Sequence, residues 1–133
     1  MNLDKFYSGK RILVTGHTGF KGAWLSLILQ RFGAKVYGIS LKPEDFRGNF
    51  YNIVRLNKKI KSYYVDLSDY KKLYKTIGKI KPEIIFHLAA QPYVIRSYKD
   101  PLETIQSNIL GVSNLLNICR EIKTVKTFLN ITT

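Results

Sequence analysis

The sequence predicts an α/β fold, in which a doubly wound parallel sheet carries helices on both faces. Short apolar runs alternate with segments of helical periodicity along the whole chain. In addition, three glycines, Gly16, Gly19 and Gly22, stand at the first junction between a strand and a helix. A length of 133 residues, with 45% hydrophobic and 23% charged residues, suits one globular domain.

Five strands are predicted from apolar runs that end at glycine, proline or polar residues. The first run, RILVT, ends directly at a glycine, which is typical of a buried strand. Since helical segments separate the runs, the strands should be parallel neighbours joined by crossovers. The predicted strands are 11–15, 35–40, 60–65, 83–89 and 127–131.

Three helices are predicted between these strands. The helix over 20–32 is indicated by apolar residues at helical spacing, namely Phe20, Trp24, Leu27, Ile28 and Phe32. A helix that starts after Ser68 or Asp69 should carry Leu73, Ile77 and Ile80 inward. The third starts at Asp100 and Pro101 and runs to about residue 122, with one stripe formed by Ile105, Ile109, Val112, Leu116 and Cys119. Segments 42–52 and 91–99 are predicted to be loops.

The composition also bears on partners and location. The net charge is +13, which is compatible with nucleic acid or with an anionic small ligand, but the lysines are spread along the chain and no zinc-finger spacing occurs. We expect no nucleic-acid partner and no bound metal. No apolar stretch reaches the roughly 18 residues of a membrane helix, and the start lacks the apolar core of a secretory leader. We therefore expect a cytoplasmic protein with no membrane partner, whose single cysteine is a buried reduced thiol.

The glycine spacing predicts a phosphate-binding turn. Ligands of doubly wound sheets bind beyond the carboxyl ends of the strands, and a helix N-terminus there offers free N–H groups and partial positive charge. A side chain at Gly16 would obstruct the tight turn, one at Gly19 would hold the backbone away from a pyrophosphate, and one at Gly22 would push the helix off the strand. The sequence thus predicts a dinucleotide site with candidate contacts at Gly16, Thr18, Gly19, Phe20, Lys21 and Gly22.

The end of the second strand leaves the choice of dinucleotide open. An acidic residue at this place binds the ribose hydroxyls of NAD. Here the place holds Ser40, Leu41 and Lys42. Ser40 is the candidate ribose contact, whereas a lysine would suit the additional phosphate of NADP.

Several stretches together resemble the CDP-glucose 4,6-dehydratase family, in the extended branch of the short-chain dehydrogenase/reductase superfamily. The G-x-x-G-x-x-G spacing is the one this superfamily uses. The matching stretches are TGHTGFKG with AWLS at 15–26, VYGISL at 36–41, FHLAAQP at 86–92, RSYKDPLET at 96–104 and SNILGVSNLL at 107–116. The resemblance implies a Rossmann-like fold, NAD as the cofactor and a homo-oligomeric assembly.

The resemblance also implies a reaction. The sugar C4 hydroxyl loses a hydride to NAD, water leaves from C5 and C6, and the hydride returns at C6. The product is a 4-keto-6-deoxy sugar nucleotide. An epimerase or reductase of the same superfamily, and a non-catalytic NAD(P)-binding module, remain alternatives.

Individual residues receive roles from the same resemblance. Asp66 would accept a hydrogen bond from the adenine amino group with Leu67 along the ring, although a turn-capping role is the alternative. Leu88, Ala89 and Ala90 would lie against the nicotinamide half. The candidate substrate-side residues are Gln91 and Arg96, the latter with a surface ion pair as its alternative.

Two histidines, one asparagine and one threonine also have expected roles. His17 is expected to shape the glycine-rich turn, and His87 to be a buried structural residue rather than a base. Asn108 would support the active site, with an exposed helix position as the alternative. Thr133 matches the hydroxyl residue that would bind the C4 oxygen.

The catalytic Tyr-x-x-x-Lys pair of the family has no counterpart in these residues. We therefore expect residues 1–133 to form a dinucleotide-binding domain, truncated after strand five, that lacks the catalytic segment and the substrate domain. Such a chain should have no dehydratase activity by itself.

Overall fold

A single parallel sheet forms the centre of the protein, whose computed structural model describes residues 2–43 and 48–132. The strand order is β3-β2-β1-β4-β5. This order reverses between β1 and β4, so the predicted doubly wound sheet is confirmed. The strands are β1 (Arg11–Thr15), β2 (Lys35–Ser40), β3 (Lys61–Tyr64), β4 (Ile84–His87) and β5 (Thr127–Asn130).

Helices connect the strands, and two of them arise where the sequence predicts loops. One is α3, in the predicted loop 42–52, of which residues 44–47 lie outside the described part; the other is α5, in the predicted loop 91–99. The long helix predicted to follow Pro101 is interrupted by a π-helical turn. The helices are α1 (Leu3–Tyr7), α2 (Phe20–Arg31), α3 (Phe50–Ile53), α4 (Tyr70–Ile80), α5 (Val94–Lys99), α6 (Pro101–Ile105) and α7 (Gly111–Glu121), with a 3-10 turn at Leu56–Lys58 and the π-helical turn at Gln106–Leu110.

Hydrophobic cores cover both faces of the sheet, because successive side chains of a strand point to opposite faces. Ile12 and Val14 of β1 pack in one cluster with Ala23 and Leu29 of α2. Leu13 of β1 packs in the other cluster, together with residues of α4 and α7. That second cluster contains the predicted inward residues of α4, which are Leu73, Ile77 and Ile80.

Only part of the predicted apolar stripe of α2 packs towards the sheet: Leu27 contacts the core, whereas Phe20, Trp24 and Ile28 are exposed. The buried residues of α2 are Gly22, Ala23, Ser26 and Leu29, whereas Phe20 is 68% and Trp24 46% exposed. Small residues on the inner face let the helix axis approach the sheet closely. The aromatic side chains lie on the flank instead, where Trp24 stacks on Phe50 of α3 at 4.5 Å between ring centroids.

The stripe predicted for the last helix is also displaced. The buried residues of α7 are Gly111, Leu115 and Ile118, while the predicted Ile109 and Leu116 are exposed. An extra residue in the π-helical turn changes the rotational phase of the residues that follow, so one continuous stripe cannot face the core. Cys119 is half-buried, and burial raises the pKa of its thiol to about 11.

Two surface features bear on partners. Among the described residues, no helix is both long and apolar enough to cross a membrane. A cleft of about 560 Å³ opens beside the amino ends of β2 and β3, and its lining includes Lys35, Lys58, Lys59 and Lys61. The carboxyl ends of the strands, where the glycine-rich turn lies, are at the opposite edge of the sheet.

Candidate functional site

The glycine-rich turn joins β1 to α2 at the point where the strand order reverses. Gly16 has a φ of +74°, in the left-handed region that favours glycine. Its amide donates to the carbonyl of Ile39 at 2.8 Å, which ties the turn to the end of β2. A Cβ at Gly16 would lie 2.7 Å from the amide nitrogen of Ala89. The turn therefore contacts the ends of β2 and β4 at once.

The start of α2 has the properties of an anion-binding cradle. A Cβ at Gly22 would overlap the carbonyl oxygen of Gly16, so the first helical turn packs directly on the glycine-rich turn. A Cβ at Gly19 would meet only that same oxygen, at 3.3 Å, so the space on its outer side is open. Gly19 is the N-cap residue, no side chain caps the helix, and its first turn holds no acidic residue. The free N–H groups and the helix dipole suit a pyrophosphate.

Ser40 and Thr18 are in direct contact. The Thr18 hydroxyl donates to Oγ of Ser40 at 3.1 Å, and Ser40 donates to the carbonyl of Leu41 at 2.7 Å. Ser40 is only 5% exposed, and its hydroxyl hydrogen is already used in the bond to Leu41. The structure thus brings the candidate ribose contact together with the glycine-rich turn. Lys42 is exposed at the next position but one.

His17 is buried beneath the same turn. Its Nε2 lies 3.0 Å from the hydroxyl of Ser62, which also accepts a hydrogen bond from Tyr51 at 3.2 Å. Burial lowers the pKa of His17 to about 4, although the Ile39 carbonyl acts in the opposite direction, so the imidazole is neutral at pH 7. A Cβ at Gly38 would overlap the imidazole ring.

Gly38, Ser62 and Tyr51 are supporting residues that the sequence reasoning missed. A glycine inside a predicted strand was the available signal for a close approach.

The turn after β3 holds the candidate adenine contacts. Oδ1 of Asp66 accepts hydrogen bonds from the amide and the hydroxyl of Ser68, both at 2.8 Å. The turn-capping role is therefore realised, and no described residue bonds to Oδ2. Leu67 is 6% exposed and packs into the core on the α4 and α7 face.

The end of β4 lies against the end of β1. The amide of Leu88 donates to the carbonyl of Thr15 at 3.2 Å, and the amide of Ala89 donates to the Thr15 hydroxyl at 3.3 Å. Leu88 and Ala89 are half-buried, while Ala90 is exposed. His87 is 2% exposed, and burial lowers its pKa to about 4, so its prediction as a buried histidine is confirmed.

The candidate substrate-side residues are held by the helices that follow. The backbone amide of Gln91 donates to Oδ1 of Asn108 at 2.8 Å, and Nδ2 of Asn108 donates to the backbone carbonyl of Gln91 at 3.1 Å. These two hydrogen bonds hold Asn108, in the π-helical turn, close to the end of β4. Arg96 forms a bidentate ion pair with Glu103, at 2.6 Å for each contact. The ion pair that was the alternative for Arg96 is thus present.

Thr133, the candidate catalytic hydroxyl, lies outside the described residues. Within the described part of the chain, no group of three or more His, Cys, Asp or Glu side chains is arranged to hold a metal ion.

Comparison with known proteins decides the family. Residues 13–133 match the family described as GDP-mannose 4,6 dehydratase. The chain belongs to this family. It is also 47% identical, over 98% of its length, to CDP-glucose 4,6-dehydratase of Salmonella typhimurium. UDP-glucuronate 4-epimerase 1 of Arabidopsis thaliana is 36% identical over 84% of the chain and matches over 27% of its own length.

Solved structures of the superfamily share the fold. UDP-glucose 4-epimerase of Thermus thermophilus, in complex with NAD, has a TM-score of 0.75 and 31% identity over 88% of this chain. UDP-glucose 4-epimerase of Thermotoga maritima, with UDP-glucose, has a TM-score of 0.78 and 29% identity over 92% of this chain. The chain has the NAD-binding fold of the sugar-nucleotide dehydratases and epimerases. It spans about a third of the relatives' length, with 36% of the Salmonella enzyme and 36% and 37% of the two epimerase chains matched.

Proposed function

We propose that these residues are the NAD-binding portion of a sugar-nucleotide 4,6-dehydratase that acts on CDP-glucose. The observation that carries the proposal is the open space at Gly19, next to the N-terminus of α2, which no side chain caps. This space lies where the strand order of the sheet reverses. The 47% identity to the Salmonella CDP-glucose enzyme supports the substrate class.

The bound NAD would accept and return the hydride of the dehydration. The residues of this chain would bind and orient it. The amides at the start of α2, with Lys21 beside them, would hold the pyrophosphate. Oδ2 of Asp66 would accept a hydrogen bond from the adenine amino group. Leu67, which is buried in the core, would support the turn from beneath rather than lie along the ring. The small residues Ala89 and Ala90 would let the nicotinamide half lie close to the end of β4.

Titration calorimetry of the 133-residue chain with NAD tests the cofactor role. We expect NAD to bind, and Gly19→Val to abolish binding, because a branched side chain would occupy the open side of the cradle. Gly78→Val is the matched control, since a Cβ at Gly78, in α4 and away from the turn, meets nothing within 4 Å and the residue has no positive φ. Circular dichroism checks that both variants are folded. Undiminished NAD binding by a folded Gly19→Val variant would refute the cradle.

The substrate is tested by activity. These residues contain no Tyr-x-x-x-Lys pair that matches the family's catalytic position, so we expect the chain alone to bind NAD without converting CDP-glucose. Steady formation of a 4-keto-6-deoxy product by the purified chain would contradict this expectation. The substrate itself is tested with a longer protein that contains these residues and the catalytic pair. Product formed by that protein from GDP-mannose or dTDP-glucose, but not from CDP-glucose, would contradict the proposed substrate.

We further propose that the complete enzyme is a cytoplasmic homo-oligomer without a nucleic-acid partner. An apolar surface along α5 to α7 supports self-association, since it exposes Ile95, Leu102, Ile105 and Ile109. Sedimentation of the chain should show a dimer or larger assembly that Ile109→Asp dissociates. Mobility-shift assays with single-stranded RNA should show no complex at physiological ionic strength, although Lys58 and Lys59 are exposed.

A further inference from the structure

The turn after β3 is anchored by a side chain from the distant helix α7. Asn114 donates from Nδ2 to the carbonyl oxygen of Leu67 at 2.8 Å and to that of Ser68 at 3.3 Å. Leu67 and Ser68 precede Asn114 by 47 and 46 positions in the sequence. The amide group therefore spans two neighbouring carbonyls of one turn.

The same helix makes a second close contact with this turn. A Cβ at Gly111 would lie 3.0 Å from Cβ of Leu67, so the absence of a side chain allows the approach. Gly111 and Asn114 are three residues apart and thus share a face of α7. One position provides space for Leu67, and the other provides hydrogen bonds to its backbone.

The sheet alone does not hold the turn. β3 ends at Tyr64, and the amide of Val65 makes the last backbone hydrogen bond to β2, at 3.0 Å to the carbonyl of Ser40. Beyond it, the amide of Asp69 donates to the carbonyl of Asp66 at 3.1 Å, a contact within the turn itself. The hydrogen bonds to the sheet therefore end at Val65, and beyond it Asn114 of α7 supplies side-chain hydrogen bonds that hold the turn.

We infer that Asn114 is a positioning residue for the adenine end of the dinucleotide site. It fixes the turn in which Ser68 donates to Oδ1 of Asp66, so that Oδ2 has no hydrogen bond from a described residue. Asn114 does not touch the cofactor. The inference rests on the proposed NAD-binding function, and it assigns the adenine half of the site a determinant on α7.

The test compares two Asn→Asp variants of α7. Asn114→Asp keeps the shape of the side chain but replaces both N–H donors with an acceptor that faces two carbonyl oxygens. Asn117→Asp introduces the same charge one turn later, where the amide donates to the Tyr70 hydroxyl at 2.9 Å and not to the turn. Each variant is titrated with NAD, ADP-ribose and nicotinamide mononucleotide.

The expected result separates the two halves of the cofactor. Asn114→Asp should weaken NAD and ADP-ribose by about tenfold, as lost hydrogen bonds and carbonyl repulsion displace the adenine contacts. The affinity for nicotinamide mononucleotide should stay unchanged, and Asn117→Asp should leave all three affinities unchanged. Equal losses for ADP-ribose and nicotinamide mononucleotide would indicate general disruption and overturn the inference.

Hydrogen exchange of the cofactor-free chain distinguishes failure of this inference from failure of the proposed function. Asn114→Asp should accelerate exchange of the amides in 66–70 and leave those of β1 unchanged. If the unsubstituted chain binds NAD while the variant shows neither faster exchange nor weaker binding, Asn114 does not position the turn. If the unsubstituted chain binds neither NAD nor ADP-ribose, the proposed function fails and the cofactor role of Asn114 fails with it.

Discussion

The hydroxyl oxygen of Thr15, at the end of β1, lies 2.6 Å from Nδ1 of His87, at the end of β4. The amide of Ala89 donates to the same hydroxyl, which leaves the hydroxyl hydrogen for Nδ1 of His87. The neutral imidazole with its proton on Nε2 satisfies this arrangement, in agreement with the lowered pKa of His87. The contact ties together the two strands between which the sheet reverses its order.

Thr15→Val should destabilise the protein by about 1–3 kcal/mol, because it removes the partner of the half-buried Ala89 amide and of the buried imidazole nitrogen of His87. Chemical denaturation at pH 7.5 measures the free energy of unfolding. Thr76→Val is the matched control, since the Thr76 hydroxyl donates only to the carbonyl of Lys72 on the exposed side of α4. Equal effects of the two substitutions would contradict the structural role of Thr15.

The two histidines should make stability depend on pH. Burial lowers the pKa of His17 and of His87 from 6.5 to about 4, so the unfolded chain binds more protons between these values. Their contribution is complete above about pH 6.5 and is lost as the pH falls towards 4. For the fully buried His17 the loss reaches about 3 kcal/mol.

Denaturation curves at pH 7.5, 6 and 5 check this dependence. The pKa of Glu83 lies below its ordinary value, chiefly because its carboxylate accepts a hydrogen bond from the backbone amide of Arg11. The contribution of Glu83 to stability is therefore lost only at lower pH. His17→Asn should flatten the decline, although it lowers stability at pH 7.5. A stability that stays constant from pH 7.5 to 5 would show that the imidazoles titrate normally in the folded protein.

Two glycine-to-alanine substitutions in helices should have opposite effects. Gly22→Ala would overlap the Gly16 carbonyl oxygen, force the turn to shift and weaken NAD binding together with stability. Gly78→Ala adds a Cβ that meets nothing within 4 Å, so it should stabilise α4 by about 0.5–1 kcal/mol. Thermal unfolding and calorimetry with NAD measure both effects. Unaltered binding and stability in Gly22→Ala would refute the close packing of α2 on the turn.

Lys42→Ala tests the choice between the two dinucleotides. Lys42 is exposed beyond the end of β2, where the 2′-phosphate of NADP would lie. The variant should bind NADP several-fold more weakly than the unsubstituted chain, a loss of about 1 kcal/mol in binding free energy. Its affinity for NAD should be unchanged. Lys75→Ala, on the exposed side of α4, controls for the change in net charge. Equal losses for NAD and NADP would place Lys42 outside the 2′-phosphate site.

The strands were predictable because their signals are local. RILVT and KVYGIS end at the observed boundaries of β1 and β2. Of the two predicted caps of α4, Ser68 and Asp69, it is Asp69 that accepts from the amide of Lys72. The helices at Val94–Lys99 and Phe50–Ile53 were missed, because they are short and carry no apolar periodicity. Such segments form only where neighbouring elements fix their ends.

The candidate site, like the fold, could be predicted from the sequence only in its local features. Gly16, Gly19 and Gly22 were identifiable, since their spacing at a junction between a strand and a helix has a steric reason. The partners of the turn were not, because Ile39, Ser62 and Ala89 lie in or just after strands that are distant from the turn in the sequence. Arg96 illustrates the limit: its side chain had two possible partners, and the position of Glu103 on α6 decided for the ion pair.

The sequence by itself determined the alternation of strands and helices, the glycine-rich turn and the family. These features depend on residues close together in the chain, where backbone sterics and periodicity act. Only the tertiary structure decided which face of α2 is buried, that a π-helical turn interrupts the helix after Pro101, and that Asn114 reaches the turn after β3. These features depend on contacts between segments that are distant in the sequence, and tertiary packing determines the free energies of those contacts.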